Sequence, residues 1–125
     1  MNFRYDIYPE KRLVVLHYGK ELSVDLVQGI RSVVMQDADF NPEFNVIEDV
    51  TEVVDVKLDF QEMSQIAGKS VIKKKTRRAF VAKTDLQYGL ARSYQTLSEA
   101  EGQEFMVFRD FDAAMIWVCS AEKKN

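Results

Sequence analysis

One cysteine, one histidine, two prolines and five glycines are all that this 125-residue chain contains of those four types. Each scarcity excludes something. Cys119 alone cannot close an internal disulfide, so the fold must rest on its own core, and a reducing compartment suits it. A zinc centre needs three or four nitrogen or sulfur ligands, and His17 with Cys119 cannot supply them. With so little proline and glycine there is no long linker and no low-complexity tract. No uncharged apolar run approaches the roughly 20 residues of a membrane span. The opening "MNFRYDIYPEKR" is charged throughout and lacks the apolar core of a signal peptide. There is no G-x-G-x-x-G, no Walker loop and no G-x-S-x-G elbow. The expectation is a cytoplasmic chain forming one domain over residues 1–125, with no cofactor and no metal. A chain of this size buries about two-thirds of its unfolded surface.

The net charge of −3 hides an asymmetry. From Glu43 to Glu62 seven acids face one base, and from Lys69 to Lys83 seven bases face no acid, so two surfaces of opposite sign are expected. The densest basic stretch, "SVIKKKTRRAF" at 70–80, runs from the end of a helix into a strand. Cations suit a helix C-terminus, and the stretch reads as a solvated join. The chain is net acidic and no aromatic interleaves with the lysines, which argues against nucleic acid as a partner.

Periodicity supplies the elements. "FRYDIY" alternates as a half-buried strand, "PEK" turns, and "RLVVLHY" returns as an antiparallel partner closed by Gly19. Ser23 caps a helix that reaches about Asp39, with Leu26, Val27, Ile30, Val33 and Val34 inward. "FNVIEDV" is a strand, "TEVVDVKL" an irregular acidic connection. Asp59 opens a second helix, with Glu62 completing a capping box and Phe60, Met63, Ile66 and Ala67 inward. "RAFVAKT" is a strand. Asp85 starts a third helix, with Leu86, Leu90, Tyr94 and Leu97 on one face, which Gly102 ends. "EFMVF" is the last strand. Asp110 caps a last helix with Phe111, Ala114, Met115 and Val118 inward, and "EKKN" frays.

The order ββαβαβαβα predicts an α/β fold, a mixed, mostly parallel five-stranded sheet with about four helices. Ligands in such sheets bind outside the carboxyl ends of the strands. That edge carries Asp49, Thr51, Lys83, Thr84 and Arg109. Tyr88 and Arg92 share a helical face next to it, suited to a planar or anionic group. Gly89 between them suggests close approach of a backbone or ligand. His17 and Cys119 read as structural. Glu48 and Asp49, adjacent on a strand, point to opposite faces and cannot form a catalytic pair.

The hairpin ending at Gly19, "VIEDVTEV", "RAFVAKT", "YGLARSYQTL" and "VFRDFDAAMIWV" resemble, in that order, the STAS-domain superfamily in its SpoIIAA-like branch. The resemblance implies a module for protein–protein regulation, sometimes with small-ligand sensing, and no catalytic residues. In regulatory members a serine at the start of the second helix, in a D-S-S-G pattern, is phosphorylated. That pattern falls on Lys57, Leu58, Asp59 and Phe60, so a fixed carboxylate stands where the phosphoserine would form.

Two readings follow. The first is a non-catalytic STAS-like interaction module that binds a protein partner or itself through Asp49, Thr51, Asp55 and Asp59. Asp59→Lys is then expected to weaken the complex and leave the fold intact. The alternative is a domain that binds a small apolar or anionic ligand, or a lipid, through Lys83, Thr84, Tyr88, Arg92 and Arg109 at the carboxyl edge. An enzyme has no motif behind it.

Overall fold

The structure, a computed structural model, describes residues 3–68, 76–100 and 104–120. Strands β1 (Phe3–Tyr8) and β2 (Leu13–Tyr18) form the antiparallel hairpin. Pro9 opens the 3₁₀ turn between them, and Arg12 closes it at φ 53°, in the left-handed region. Then follow β3 (Glu21–Ser23), α1 (Val24–Met35), β4 (Asn45–Asp49), β5 (Asp55–Lys57), α2 (Phe60–Gly68), β6 (Arg77–Val81), α3 (Asp85–Ala100), β7 (Glu104–Phe108) and α4 (Phe111–Ser120). Five strands form one sheet in the order β1-β2-β4-β6-β7, parallel except for β1. The fold is α/β with a mixed, mostly parallel sheet and four helices, as the pattern of periods requires.

Side chains alternate along each strand, so the sheet has two differently covered faces. One carries Val14, Val46, Phe80 and Phe105 against Val27 and Ile30 of α1, Met63 and Ile66 of α2, and Leu90 and Tyr94 of α3. The other carries Leu13, Val15, Ile47, Ala79 and Val81 against Ala114 and Val118 of α4. The caps are those the sequence implies. Ser23 Oγ accepts from Leu26 N (3.2 Å), and Asp110 Oδ2 accepts from Ala113 N (3.0 Å). At α2, Asp59 and Glu62 exchange bonds of 2.7 and 3.0 Å.

Several expectations need correction. "TEVVDVKL" is not all irregular: β5 pairs in parallel with β3 as a separate two-stranded sheet. α1 stops at Met35, where the Gln36 and Asp37 amides tighten onto Val33 O and Val34 O. Val33, Phe60 and Leu86 are exposed. Val33 sits one residue off the Val27–Ile30–Val34 line, and the other two lie in the first turns of their helices. Gly89 meets no crowding, since an added Cβ would find no atom within 4 Å.

The largest correction concerns the basic stretch. Arg77 and Arg78 are not solvated; they are the first residues of β6, an inner strand, and both are buried. Arg77 lies 4.7 Å from the Trp117 ring centroid and donates to Trp117 O (3.1 Å). Arg78 points to the other face and meets Glu48 Oε2 at 3.1 Å. Glu48 Oε1 accepts from Tyr18 Oη (2.7 Å), and Tyr94 Oη accepts from Arg78 (3.3 Å) and Arg31 (3.0 Å). A neighbouring strand can neutralise a charge that local sequence assigns to solvent. Lys73–Lys75, Gly102 and "EKKN" lie outside the described residues, as does the side chain of Ala67.

Candidate functional site

Strand register builds the site. At the carboxyl end of the sheet Arg4, His17, Asp49, Val81 and Phe108 are successive partners across five strands. His17, Asp49 and Val81 face α4, and where α4 begins the sheet floor is open. The result is a cleft of about 350 Å³, lined by His17, Asp49, Thr51, Val81, Lys83, Arg109, Asp110 and Phe111. That volume lies at the lower end of the roughly 300–1,000 Å³ of small-molecule sites. Elsewhere, two spaces of about 30 Å³ each lie between the sheet and α1–α3, beside Tyr18, Arg31 and Glu48. They have room for a water or two but not for an organic ligand. This contrast makes the carboxyl-edge cleft the candidate site.

Asp49 is its fixed anion. Oδ1 accepts from Thr51 Oγ1 (2.7 Å) and Thr51 N (3.0 Å), and Oδ2 meets His17 Nδ1 at 2.9 Å. Partial burial pushes the Asp49 carboxyl up, but the bonds from Thr51 and His17 outweigh it, so the group is held below its ordinary value. An ionised carboxylate can only accept, so His17 Nδ1 carries the proton. Nε2 is then the ring nitrogen left for the cleft. Phe111 stacks near the imidazole, 6.2 Å between centroids and 15° between planes.

The opposite wall is cationic. Arg109 lies 4.2 Å from the Tyr88 ring centroid, donates to Lys83 O (2.7 Å) and stands 3.9 Å from Asp85. Arg92 lies 5.9 Å from the same ring. Tyr88 is thus a platform under two guanidiniums, the closer of which reaches the cleft. Gln87 sets the wall in place. Its Oε1 accepts from Lys83 N (2.9 Å) and Thr84 N (3.1 Å), while Nε2 donates to Thr51 O (3.0 Å) and Val53 O (2.8 Å). One buried amide therefore fastens the loop after β6 to the loop after β4.

Of the residues expected at the carboxyl edge, Asp49, Thr51, Lys83 and Arg109 do meet in one cleft. Thr84 lies beside it and caps α3 through Gln87 N (3.1 Å), and Tyr88 and Arg92 stand behind Arg109. Asp55 lies apart on β5, near Lys57, and Asp59 belongs to the α2 capping box. His17, Asp110, Phe111 and Gln87 escape the sequence reading as site residues. No local signal marks His17, because its place depends on β2 pairing with β4 in the sheet. Among the described residues no third histidine, cysteine or carboxylate joins His17 and Asp49 in a group that could hold a metal ion.

Compared with solved structures, the chain superposes on an uncharacterised protein of the DUF3478 family with a SpoIIAA-like fold, from Shewanella loihica PV-4, with a TM-score of 0.64 over 94% of each chain at 17% identity. The fold is SpoIIAA-like. No family model and no curated protein matches the sequence. In this SpoIIAA-like frame Asp59, at the start of the second helix, is a structural cap. Asp59→Lys removes one half of a capping box, so it perturbs α2 as well as any contact made there. Among the described residues no helix is long and apolar enough to cross a membrane.

Proposed function

We propose that this SpoIIAA-like chain is a non-catalytic module that binds a small anionic ligand at the carboxyl edge of its sheet. The observation that carries the reading is the cleft itself, an open volume of about 350 Å³ with Lys83 and Arg109 on one wall and the His17–Asp49 pair on the other. Lys83 and Arg109 attract the anion, Phe111 and Val81 supply apolar contact, and Thr51 and Nε2 of His17 orient polar groups. The test is native mass spectrometry of the gently purified chain, with Lys83→Ala beside it. The Lys83 side chain is exposed, so its loss leaves the core alone. A discrete small-molecule adduct that weakens in Lys83→Ala supports the reading. An adduct equally strong in the variant, or none together with no thermal stabilisation by any of a panel of small phosphates and carboxylates, overturns it.

The interaction-module reading has its own supporting observation. Val54 and Phe60, flanking the acidic β5 segment, are 68% and 67% exposed and offer apolar surface for a partner to cover. Self-association through this face would be weakened by Asp55→Lys with Phe60→Ser, read by sedimentation velocity. A wild-type chain that stays monomeric at its highest soluble concentration sinks this form of it.

A further inference from the structure

We propose that the carboxyl-edge cleft is a proton-coupled oxyanion site: it takes a phosphate-like group between Lys83, Arg109 and His17, and His17 gains a proton as the group binds. The inference rests on the reading of the cleft as an anionic-ligand site and adds its ligand class and its regulation.

The groups that face His17 come from four sides. Arg4 is its cross-strand neighbour on β1, and Asp49 its neighbour on β4. Lys83 leaves β6; Arg109 and Asp110 leave β7 and lead into α4. Three of these are cations. Of the two carboxylates, neither is free to repel an incoming anion at full strength. Asp49 is saturated by Thr51 and His17, and Asp110 is turned onto the Ala113 amide of α4. The positive end of the ten-residue α4 adds to the field. With His17 neutral, the cleft offers Lys83 and Arg109. With His17 charged, it offers a third donor, Nε2–H, and Asp49 stabilises that charge through Nδ1.

Geometry sets the ligand class. Arg109 lies 4.2 Å from the Tyr88 ring centroid and is anchored to Lys83 O, so its position is set before the ligand arrives. A fixed guanidinium and an ammonium on one wall, with an imidazolium on the other, suit a tetrahedral oxyanion with several acceptor oxygens. The cleft is roomier than a bare oxyanion needs, and the Phe111 ring lines the remainder. The ligand is therefore a small organic phosphate or sulfate ester.

Binding that prefers protonated His17 must by linkage make protonation easier. His17 is the sole histidine, so its Cε1–H proton gives a single resonance that follows titration directly in the wild-type chain. The probe is inorganic sulfate, which stays dianionic across the range in which histidines titrate, about pH 5 to 8. Chloride at equal ionic strength is the control. The expected result is a titration midpoint that rises by about one unit in saturating sulfate, with sulfate bound about tenfold more tightly to the protonated chain. Lys83→Ala should weaken sulfate binding, and His17→Gln should remove its pH dependence. Phenyl phosphate binding more tightly than inorganic phosphate identifies an organic ester; equal affinity overturns that part and leaves a site for the free ion. Sulfate that binds without moving the midpoint overturns the proton coupling while the anion cleft stands. No binding of sulfate, phosphate or phenyl phosphate at any pH overturns the inference and removes phosphate-like anions from the ligand class of the cleft.

Discussion

Two adjacent carboxylates, Glu48 and Asp49, lead different lives because one residue along a strand reverses the face. Glu48 enters the apolar layer under α1–α3, where Arg78 and Tyr18 meet it. Burial raises the Tyr18 hydroxyl well above its ordinary value, and the adjacent Glu48 charge raises it further, so Tyr18 stays a donor. Removing Glu48 would take from the buried Arg78 the carboxylate that stands 3.1 Å from it. Glu48→Ala should cost about 3–5 kcal/mol in urea unfolding, and the double variant with Arg78→Met less than the sum of the two single changes. Asp49 faces the cleft with a depressed titration. Its contribution is complete above the unfolded value of about pH 3.9 and is lost as pH falls through the lower folded value. Asp49→Asn should therefore be less stable than wild type at neutral pH, and should lose less stability between about pH 5 and pH 2 in urea midpoints measured across that range.

At the scale of the element, the helices follow their local signals closely at their beginnings. Ser23, Asp59, Thr84 and Asp110 each place an oxygen on a first-turn amide. The helix interiors are less economical. Gly89 in α3 and Gly29 in α1 are exposed, with open space where a Cβ would stand. Gly89→Ala should stabilise the chain by about 1 kcal/mol and raise Tm by a few degrees in calorimetry. A change of opposite sign would mean that the space at Gly89 is occupied in solution. β5 shows the limit of local reading. Three residues inside an acidic connection become a strand because β3 lies within pairing distance, a fact about residues 21–23 that no window around 55–57 contains.

Across the whole molecule, one side chain joins the parts that matter. Gln87 is 1% exposed and makes four hydrogen bonds to two loops that leave different strands. Those loops carry Thr51 and Lys83 into the cleft, and the first continues into β5 and the exposed Val54. Gln87→Ala should destabilise the fold by about 2–5 kcal/mol, because it strips partners from Lys83 N, Thr84 N, Thr51 O and Val53 O together. In amide hydrogen exchange, protection at Lys83 and Thr84 should fall more than protection in the core of β4. An equal loss at all sites would mean that Gln87 supports global stability without specifically joining the loops.

By itself the sequence determined the order of the four helices and of the five strands of the main sheet, the caps at Ser23, Asp59 and Asp110, the two-faced strands and the edge where Asp49, Thr51, Lys83 and Arg109 meet. The reason is that periods of 2.0 and 3.6 and cap chemistry act within a few residues, and parallel strands bring their carboxyl ends together by connectivity alone. Only the tertiary structure decided that Arg77 and Arg78 are buried, that Glu48 belongs to a core network, that Gln87 is a clasp and that His17 lines the cleft. Each of these depends on a partner from a distant part of the chain. His17 meets Asp49 across 32 residues of separation, and Gln87 meets Val53 across 34. A side chain's charge state and role follow from what packs beside it, and that neighbour is chosen by the register of the whole sheet.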